Sequence, residues 1–394
     1  MIPAPRIPIP FLFRERKASL PILLAILLGG APPALVAQEK GKTPAGRPAA
    51  GCSTFKSSGK HRFYEDNPVY RDSGRTPVPW RRGDAASQGF DPKALQATVR
   101  VLEQRPEPRA FLVVRHRRMV LEHYFHGARP DESRNVHSLS KSMLSDLVGI
   151  AIREGRFKGL GQPLHEILKA DFPPRPNPLK LKITLEHLLS MGSGLQWHED
   201  LTEFAIQRKK NWVKAILALK SVSEPGRTFN YSTGMSHLLS AAITRATGMS
   251  TCAFAMKHLF GPLGITPEHW GRDPQGIFSG GCNLYLTPRE IMRYGLLHLA
   301  SGKWEGRAIV PAAWCREALR PRHVIDEGCA YGLGWWLFEG KRHRFVLAWG
   351  YGGNFLYLFP RLDVAVVVTS DTRKVHPSLD PWKFYMDHLL PALP

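Results

Sequence analysis

Two β-rich blocks, one near each end of the chain, with a long helical stretch between them, predict an α+β fold. The expected architecture is an α/β/α sandwich whose antiparallel sheet is built from both chain ends, with the helical region inserted. Three observations carry this. Runs 110–115 and 119–125 are apolar and β-branched around the short polar link His116-Arg-Arg118, the pattern of a hairpin. Runs 331–338, 345–349, 354–359 and 364–369 repeat that character late in the chain, and their short turns imply antiparallel pairing. Between about 138 and 301 the apolar residues recur at helical spacing instead.

Taken in order, residues 1–37 read as an export signal. Arg6, Arg14, Arg16 and Lys17 lead into an apolar stretch at 20–28, broken by Gly29, Gly30, Pro32 and Pro33, with a cleavage point at 34–37. The apolar run is shorter than the ~20 residues a spanning helix needs. Leu35 is larger than the small residue preferred at that place, so an uncleaved anchor is the alternative. Ala49-Ala-Gly-Cys52 resembles a lipoprotein box but lies too far beyond the apolar stretch to be processed as one. Residues 38–90, rich in Gly, Pro, Ser and Lys, read as a leader or loosely ordered arm, and the folded domain is expected over 91–392. It opens with a helix at 91–103, capped by Asp91 with Pro92 in its first turn. Helices follow at 138–155, 184–190, 202–220, 232–247, 250–260 and 288–301, so the helical part spans about 139–300. A closing helix is expected at 380–390.

Net charge is +21, with basic residues scattered from Arg71 to Lys374. No recognition helix, zinc-finger spacing or RNA-binding motif accompanies them, so specific nucleic-acid binding is not expected; a basic solvated surface is. The charge permits electrostatic association with an anionic envelope. Five cysteines at 52, 252, 282, 315 and 329 contain no CxxC pair, which argues against a zinc ribbon or a disulfide scaffold. His116, His123 and His126 cluster on the hairpin without a metal-binding pattern, so no metal is expected. Without a glycine-rich phosphate loop after a strand, no nucleotide cofactor is expected either.

Three Ser-x-x-Lys matches occur, at Ser53/Lys56, Ser57/Lys60 and Ser138/Lys141. Only the third sits where a polar segment enters an apolar-periodic helix. A serine in a first helical turn lies beside unpaired N–H groups that stabilise an oxyanion. Lys141, three residues on, shares its face. Packed among Leu139, Met143 and Leu144, its ammonium is poorly solvated, which lowers its pKa and lets it accept a proton. A capping serine with a surface lysine is the alternative that this pattern alone leaves open. Tyr231 follows the Pro225-Gly226 turn just before a helix, a place that holds its phenol at a rim, where it could relay a proton. A half-buried turn tyrosine is the alternative. The segment Trp349-Gly-Tyr-Gly-Gly-Asn354 punctuates a strand pair with glycines, which permits close backbone approach to a ligand. Tyr351, Gly352, Gly353 and Asn354 are therefore candidate substrate or oxyanion residues, against the alternative of a glycine-rich hairpin with stacked aromatics.

The order Ser138-Leu-Ser-Lys141, Tyr231-Ser-Thr233, then Gly350-Tyr-Gly-Gly353 resembles the three motifs of serine β-lactamases and penicillin-binding proteins. The wording around them is most similar to the class C-related branch, which includes esterases, D-aminopeptidases and 6-aminohexanoate-dimer hydrolases. Further matches lie at 185–195, 280–290, 331–336 and 359–370, so the similarity covers about 90–392. The resemblance implies a β-lactamase/transpeptidase-like fold and acyl-enzyme catalysis, with the Gln196–Asp200 segment at the site's mouth and Trp197 as a wall of the cleft or a packing residue. Two departures bear on substrate. Thr233 stands where the family often has Asn, and no Lys or His precedes Gly350, so no cation is evident for a substrate carboxylate. Losing one charge-assisted bond costs ~1.5–3 kcal/mol, which favours esters or amides without an obligatory carboxylate.

The sequence thus points to an exported, periplasmic or secreted serine hydrolase of a small ester or amide. Ser138 would be the nucleophile, Lys141 and Tyr231 the acid/base pair; which of the two is the resting base stays open. A β-lactamase or DD-peptidase is the alternative within the class, and a non-catalytic envelope-binding protein the one outside it.

Overall fold

The computed structural model describes residues 80–374 and 379–394. The expected signal at 1–37, and all of the 38–90 arm except its last residues, lie outside them. Residues 80–90 run beside the first hairpin, where Met119 N donates to Arg81 O and Gly83 N to Met119 O.

Helix α1 (Pro92–Glu103) is capped by Asp91, whose carboxylate accepts from Lys93 N and Ala94 N. The hairpin follows as β1 (Pro108–Arg115) and β2 (Arg118–Tyr124). The chain then leaves the sheet and returns late as β3 (His323–Asp326), β4 (Cys329–Tyr331), β5 (Trp336–Glu339), β6 (Arg344–Gly350), β7 (Asn354–Phe359) and β8 (Val364–Ser370). These make one eight-stranded sheet in the order β2-β1-β8-β7-β6-β5-β4-β3, antiparallel throughout. The junction of the two chain ends is β1 on β8, with Val113 opposite Val366. Neither strand is at an edge of the sheet, and both are buried along nearly their whole length, which is why they read as continuous apolar runs rather than alternating ones.

The alternation of β7 sorts the two outer layers. Phe355, Tyr357 and Phe359 point to the face carrying the closing helix α6 (Pro381–Phe384, continued by a wider turn Tyr385–Leu389), against Phe384 and Tyr385. Leu356 and Leu358 point to the other face, where α5 (Pro288–Leu299) lies so close that a Cβ on Gly295 would sit 2.7 Å from Leu356. The helical region packs on this second face, with α2 (Ser140–Arg153), α3 (Glu199–Gln207) and α4 (Thr233–Thr247) as the elements that reach the site.

Several expected elements divide. The strand expected at 331–338 is two strands around a turn, because Gly334 holds φ +83° there. The helix expected at 202–220 is α3 plus a second helix, Trp212–Ala218, restarted by Asn211, which accepts from Lys214 N. The short strand β3 was not expected. Its residues alternate too weakly, between half-buried and exposed, to stand out in the sequence. Among the described residues, no helix is long and apolar enough to cross a membrane.

Candidate active site

Ser138 occupies a single tight turn, His137–Leu139, that runs directly into α2. The turn is held from both sides. Asn135 Oδ1 accepts from His137 N at 2.9 Å and from Asn283 N at 3.1 Å, so one side chain ties the Ser138 turn to the loop at 280–283. His137 itself sits at φ +49°, a left-handed conformation that costs a non-glycine residue of order 1–3 kcal/mol and that recurs at functional sites. Further along α2, Ser142 Oγ donates to Gly334 O at 2.6 Å and clamps the helix start to the turn between β4 and β5.

Lys141 projects from the first turn of α2 back toward Ser138 and is only 3% exposed. Its Nζ lies 2.7 Å from Ser138 Oγ, 2.9 Å from Thr233 Oγ1 and 3.2 Å from Gly281 O. Burial lowers its pKa; Glu199, at 4.0 Å, pulls the other way, joined by Cys282 and Glu203. Gly281 makes the approach of the amine sterically feasible, because a Cβ there would stand 3.0 Å from Nζ.

Tyr231 enters just ahead of α4. It is not at a rim: the side chain is 8% exposed and stands among Phe229, Tyr331 and Trp336, stacking on Trp336 at 5.7 Å. The phenol faces the Ser138 hydroxyl, and the Lys141 Nζ lies 4.8 Å over its ring. Burial, followed by the field of Glu199, pushes the phenol well above its usual value, so it is held protonated as a donor. The three residues singled out in the sequence therefore meet at one helix tip.

The glycine-rich segment forms the end of β6 and the turn to β7. β6 presses on the Ser138 turn closely enough that a Cβ on Gly350 would lie 2.1 Å from Val136 O. Tyr351 faces the His137 ring at 5.8 Å, and Gly352 and Gly353 take φ +78° and +92°. Asn354 is buried with both ends of its amide engaged: Nδ2 donates to Tyr351 O and Oδ1 accepts from Ser370 N. Its side chain shapes the hairpin turn. Trp197 is also buried, its ring against the first turn of α4 at Gly234 and its Nε1 donating to Glu199 Oε2 at 2.6 Å.

Glu199 was missed in the sequence. Its carboxylate takes Trp197 Nε1 and Thr233 N on Oε2, and the Thr233 hydroxyl on Oε1. The only local sign was an acidic residue two after the tryptophan; the partner at Thr233 is 34 residues away. Cys282 is a buried free thiol beside Ser279, its pKa pushed up by burial, so it stays a thiol. His137 is pushed down to about 3, first by burial and then by Lys141, and is neutral. The hairpin histidines lie elsewhere: His116 meets Gln88, His123 meets Glu103 and His126 meets Arg105 O. Among the described residues, no cluster of three or more His, Cys, Asp or Glu side chains is placed to hold a metal.

A half-buried serine against a buried lysine at a helix tip, a phenol beside them and a glycine-lined strand end alongside have the arrangement an acyl-transfer site needs, on an α+β sandwich. The family model for Beta-lactamase matches residues 100–389, and the chain belongs to that family; it is a serine hydrolase. The 6-aminohexanoate-dimer hydrolase of Paenarthrobacter ureafaciens is 27% identical over 318 residues, covering 72% of this chain and 79% of that one. Among solved structures, a penicillin-binding protein homologue from Pyrococcus abyssi, octameric in its own structure, has TM-score 0.57 at 16% identity, covering 76% of each chain. EstCE1, a hydrolase with promiscuous acyltransferase activity, has TM-score 0.61 at 15% identity, covering 75% of this chain and 97% of that one.

Proposed function

We propose that this chain hydrolyses a small ester or linear amide through an acyl-enzyme on Ser138, with Lys141 as the resting base and Tyr231 as the proton donor. The observation that carries this is the 2.7 Å contact between Ser138 Oγ and a lysine amine that burial drives toward neutrality. The neutral amine takes the hydroxyl proton as Oγ attacks the carbonyl carbon, and the carbonyl oxygen gains the negative charge. Backbone N–H groups of the Ser138 turn and of the strand end at 350–353 are the donors proposed to hold that oxyanion. Collapse expels the leaving group, which takes a proton from the Tyr231 phenol; Lys141 returns one to Tyr231. Water then repeats the sequence on the acyl-enzyme and frees the acid.

The preference for substrates without an obligatory carboxylate is supported by what lines the strand end. Trp349 stands against Trp336 at 5.3 Å, and His137 beside Tyr351 is neutral, so neither of these two described neighbours offers a cation to a substrate carboxylate. The relative active on the 6-aminohexanoate dimer supports linear amides as candidates. Export is part of the proposal, with residues 1–37 as signal, 38–90 as arm and the hydrolase domain over 91–392, its helical part at about 139–300; the +21 charge supports contact with an anionic envelope.

The test compares p-nitrophenyl butyrate, nitrocefin and a linear aminohexanoate dimer, alongside labelling by a fluorophosphonate probe. Turnover of the ester or the dimer above nitrocefin is expected, with labelling lost in Ser138→Ala. Labelling that persists in Ser138→Ala would remove Ser138 from the role, and nitrocefin as the best substrate would overturn the preference. Fractionation of a bacterial host expressing the whole chain checks export, which a purely cytoplasmic product refutes.

A further inference from the structure

Glu199 has no hydrogen bond to Ser138, but it stands one hydroxyl, that of Thr233, away from the Lys141 amine. Its Oε2 is filled by two N–H donors, Trp197 Nε1 and Thr233 N, and its Oε1 accepts the Thr233 hydroxyl. A threonine hydroxyl has one proton. With that proton committed to the carboxylate, Thr233 Oγ1 can only accept from Lys141 Nζ, 2.9 Å away. Gly281 O, at 3.2 Å, is a carbonyl and likewise only accepts. A neutral lysine amine carries two protons and one lone pair. Thr233 and Gly281 take both protons, so the remaining tetrahedral direction, the one toward Ser138 Oγ at 2.7 Å, holds the lone pair.

We propose that Glu199 is a positioning residue that, through Thr233, fixes the hydrogen-bond sense at Lys141 so that its lone pair faces the Ser138 hydroxyl. Without the carboxylate the Thr233 hydroxyl is free to turn and donate to the amine, and the lone pair is then spent on Thr233. The same carboxylate, 4.0 Å from Nζ, stabilises the ammonium once the proton has crossed. One residue therefore prepares the acceptor and steadies the product of the transfer. The Tyr231 ring, with Nζ 4.8 Å above it, adds to the second effect.

This inference rests on the Ser138–Lys141 reading, and its test separates the two. The groups facing Lys141 are Glu199 and Glu203 on α3, Cys282 on the 280–283 loop, Tyr231 ahead of α4 and His137 before α2. Of these, Glu199 favours the charged amine most strongly. Rates fall on the acid side as Lys141 protonates. Removing the negative charge lowers the Lys141 pKa, so in Glu199→Gln the acid limb of kcat/KM moves to lower pH, by about 1. The alkaline plateau falls by about ten-fold because the lone pair is no longer directed. Thr233→Val keeps the shape but removes the relay hydroxyl, and costs about ten-fold on the plateau, while Thr233→Ser retains most of the activity. An acid limb in Glu199→Gln that stays in place or moves up overturns the proposal, even with a lower plateau, because loss of packing alone would not move it. If Glu199→Gln does not fold, wild-type activity in Thr233→Val overturns it instead. Labelling of Ser138→Ala by the fluorophosphonate, by contrast, defeats the underlying reading and the relay with it.

Discussion

Replacing Gly281 with alanine asks how finely the Lys141 amine is placed. The new Cβ would stand 3.0 Å from Nζ, 3.1 Å from Cε of the same side chain and 3.1 Å from Thr233 Cγ2. Such contacts are a few tenths of an ångström too short, and the side chain able to give way is the lysine. Gly281 has no left-handed φ, so alanine suits the backbone and the perturbation is confined to that contact. Moving Nζ lengthens the 2.7 Å contact to Ser138, and ångström-scale misplacement of a reacting group costs up to about 10²-fold. We expect kcat/KM on p-nitrophenyl butyrate to fall 10- to 100-fold, roughly, with the thermal midpoint within a few degrees of wild type. The neighbouring Gly280→Ala supplies the contrast. There the Cβ would meet Ser236 O at 1.9 Å, a backbone atom that cannot swing aside, so that variant should lose stability outright, by about 3 kcal/mol or more. Steady-state kinetics and melts on the pair read the two effects separately. Undiminished kcat/KM in Gly281→Ala would refute the claim that the amine is held to within tenths of an ångström.

Two further outcomes follow from the same geometry. Tyr231→Phe keeps the ring under Lys141 and against Trp336 but removes the phenolic proton, so kcat should fall about 10²-fold with little change in the thermal midpoint; equal kcat would take Tyr231 out of the proton path. Asp371, beside β8, binds buried Arg109 and also Arg373, and its pKa is lowered to about 2 despite opposing burial, chiefly by hydrogen bonds from Arg373. A depressed carboxyl contributes stability above its unfolded value and loses it as pH falls through the folded value. Asp371→Asn should therefore cost about 2 kcal/mol at neutral pH, and the deficit should close between about pH 4 and 2; denaturant melts showing a deficit independent of pH across that window would contradict the assignment.

The parts of the fold legible in the sequence are those where local pattern and tertiary burial agree. The apolar runs that became β1 and β8 stood out because both are buried along nearly their whole length, and Asp91 and Pro92 announced α1 because a cap acts within its own turn. The break between α3 and the next helix was readable as well, since Asn211 is a capping residue that the longer expected helix passed over. Half-buried β3 carried no such signal. At the site, Ser138 and Lys141 were legible because residues three apart share a helix face, whereas Glu199 was not, because its meaning comes from Thr233 on another helix. The phenol's burial was hidden for the same reason: Tyr331 and Trp336, which enclose it, come from strands 100 residues or so further on.

The pairing of β1 with β8 has a consequence for how this molecule comes into being. Arg109 and its partner Asp371 are separated by 262 positions, so the inner edge of the first hairpin waits for the last strand to be synthesised before it is sealed. Until then a bare, strongly apolar strand edge is on offer to any other chain. Strand β6, which presses on the Ser138 turn, also arrives late, so in a nascent or truncated chain that turn lacks its support and the proposed acylation of Ser138 has no assembled centre. Closure of the sheet and the onset of chemistry are, in this topology, a single late event.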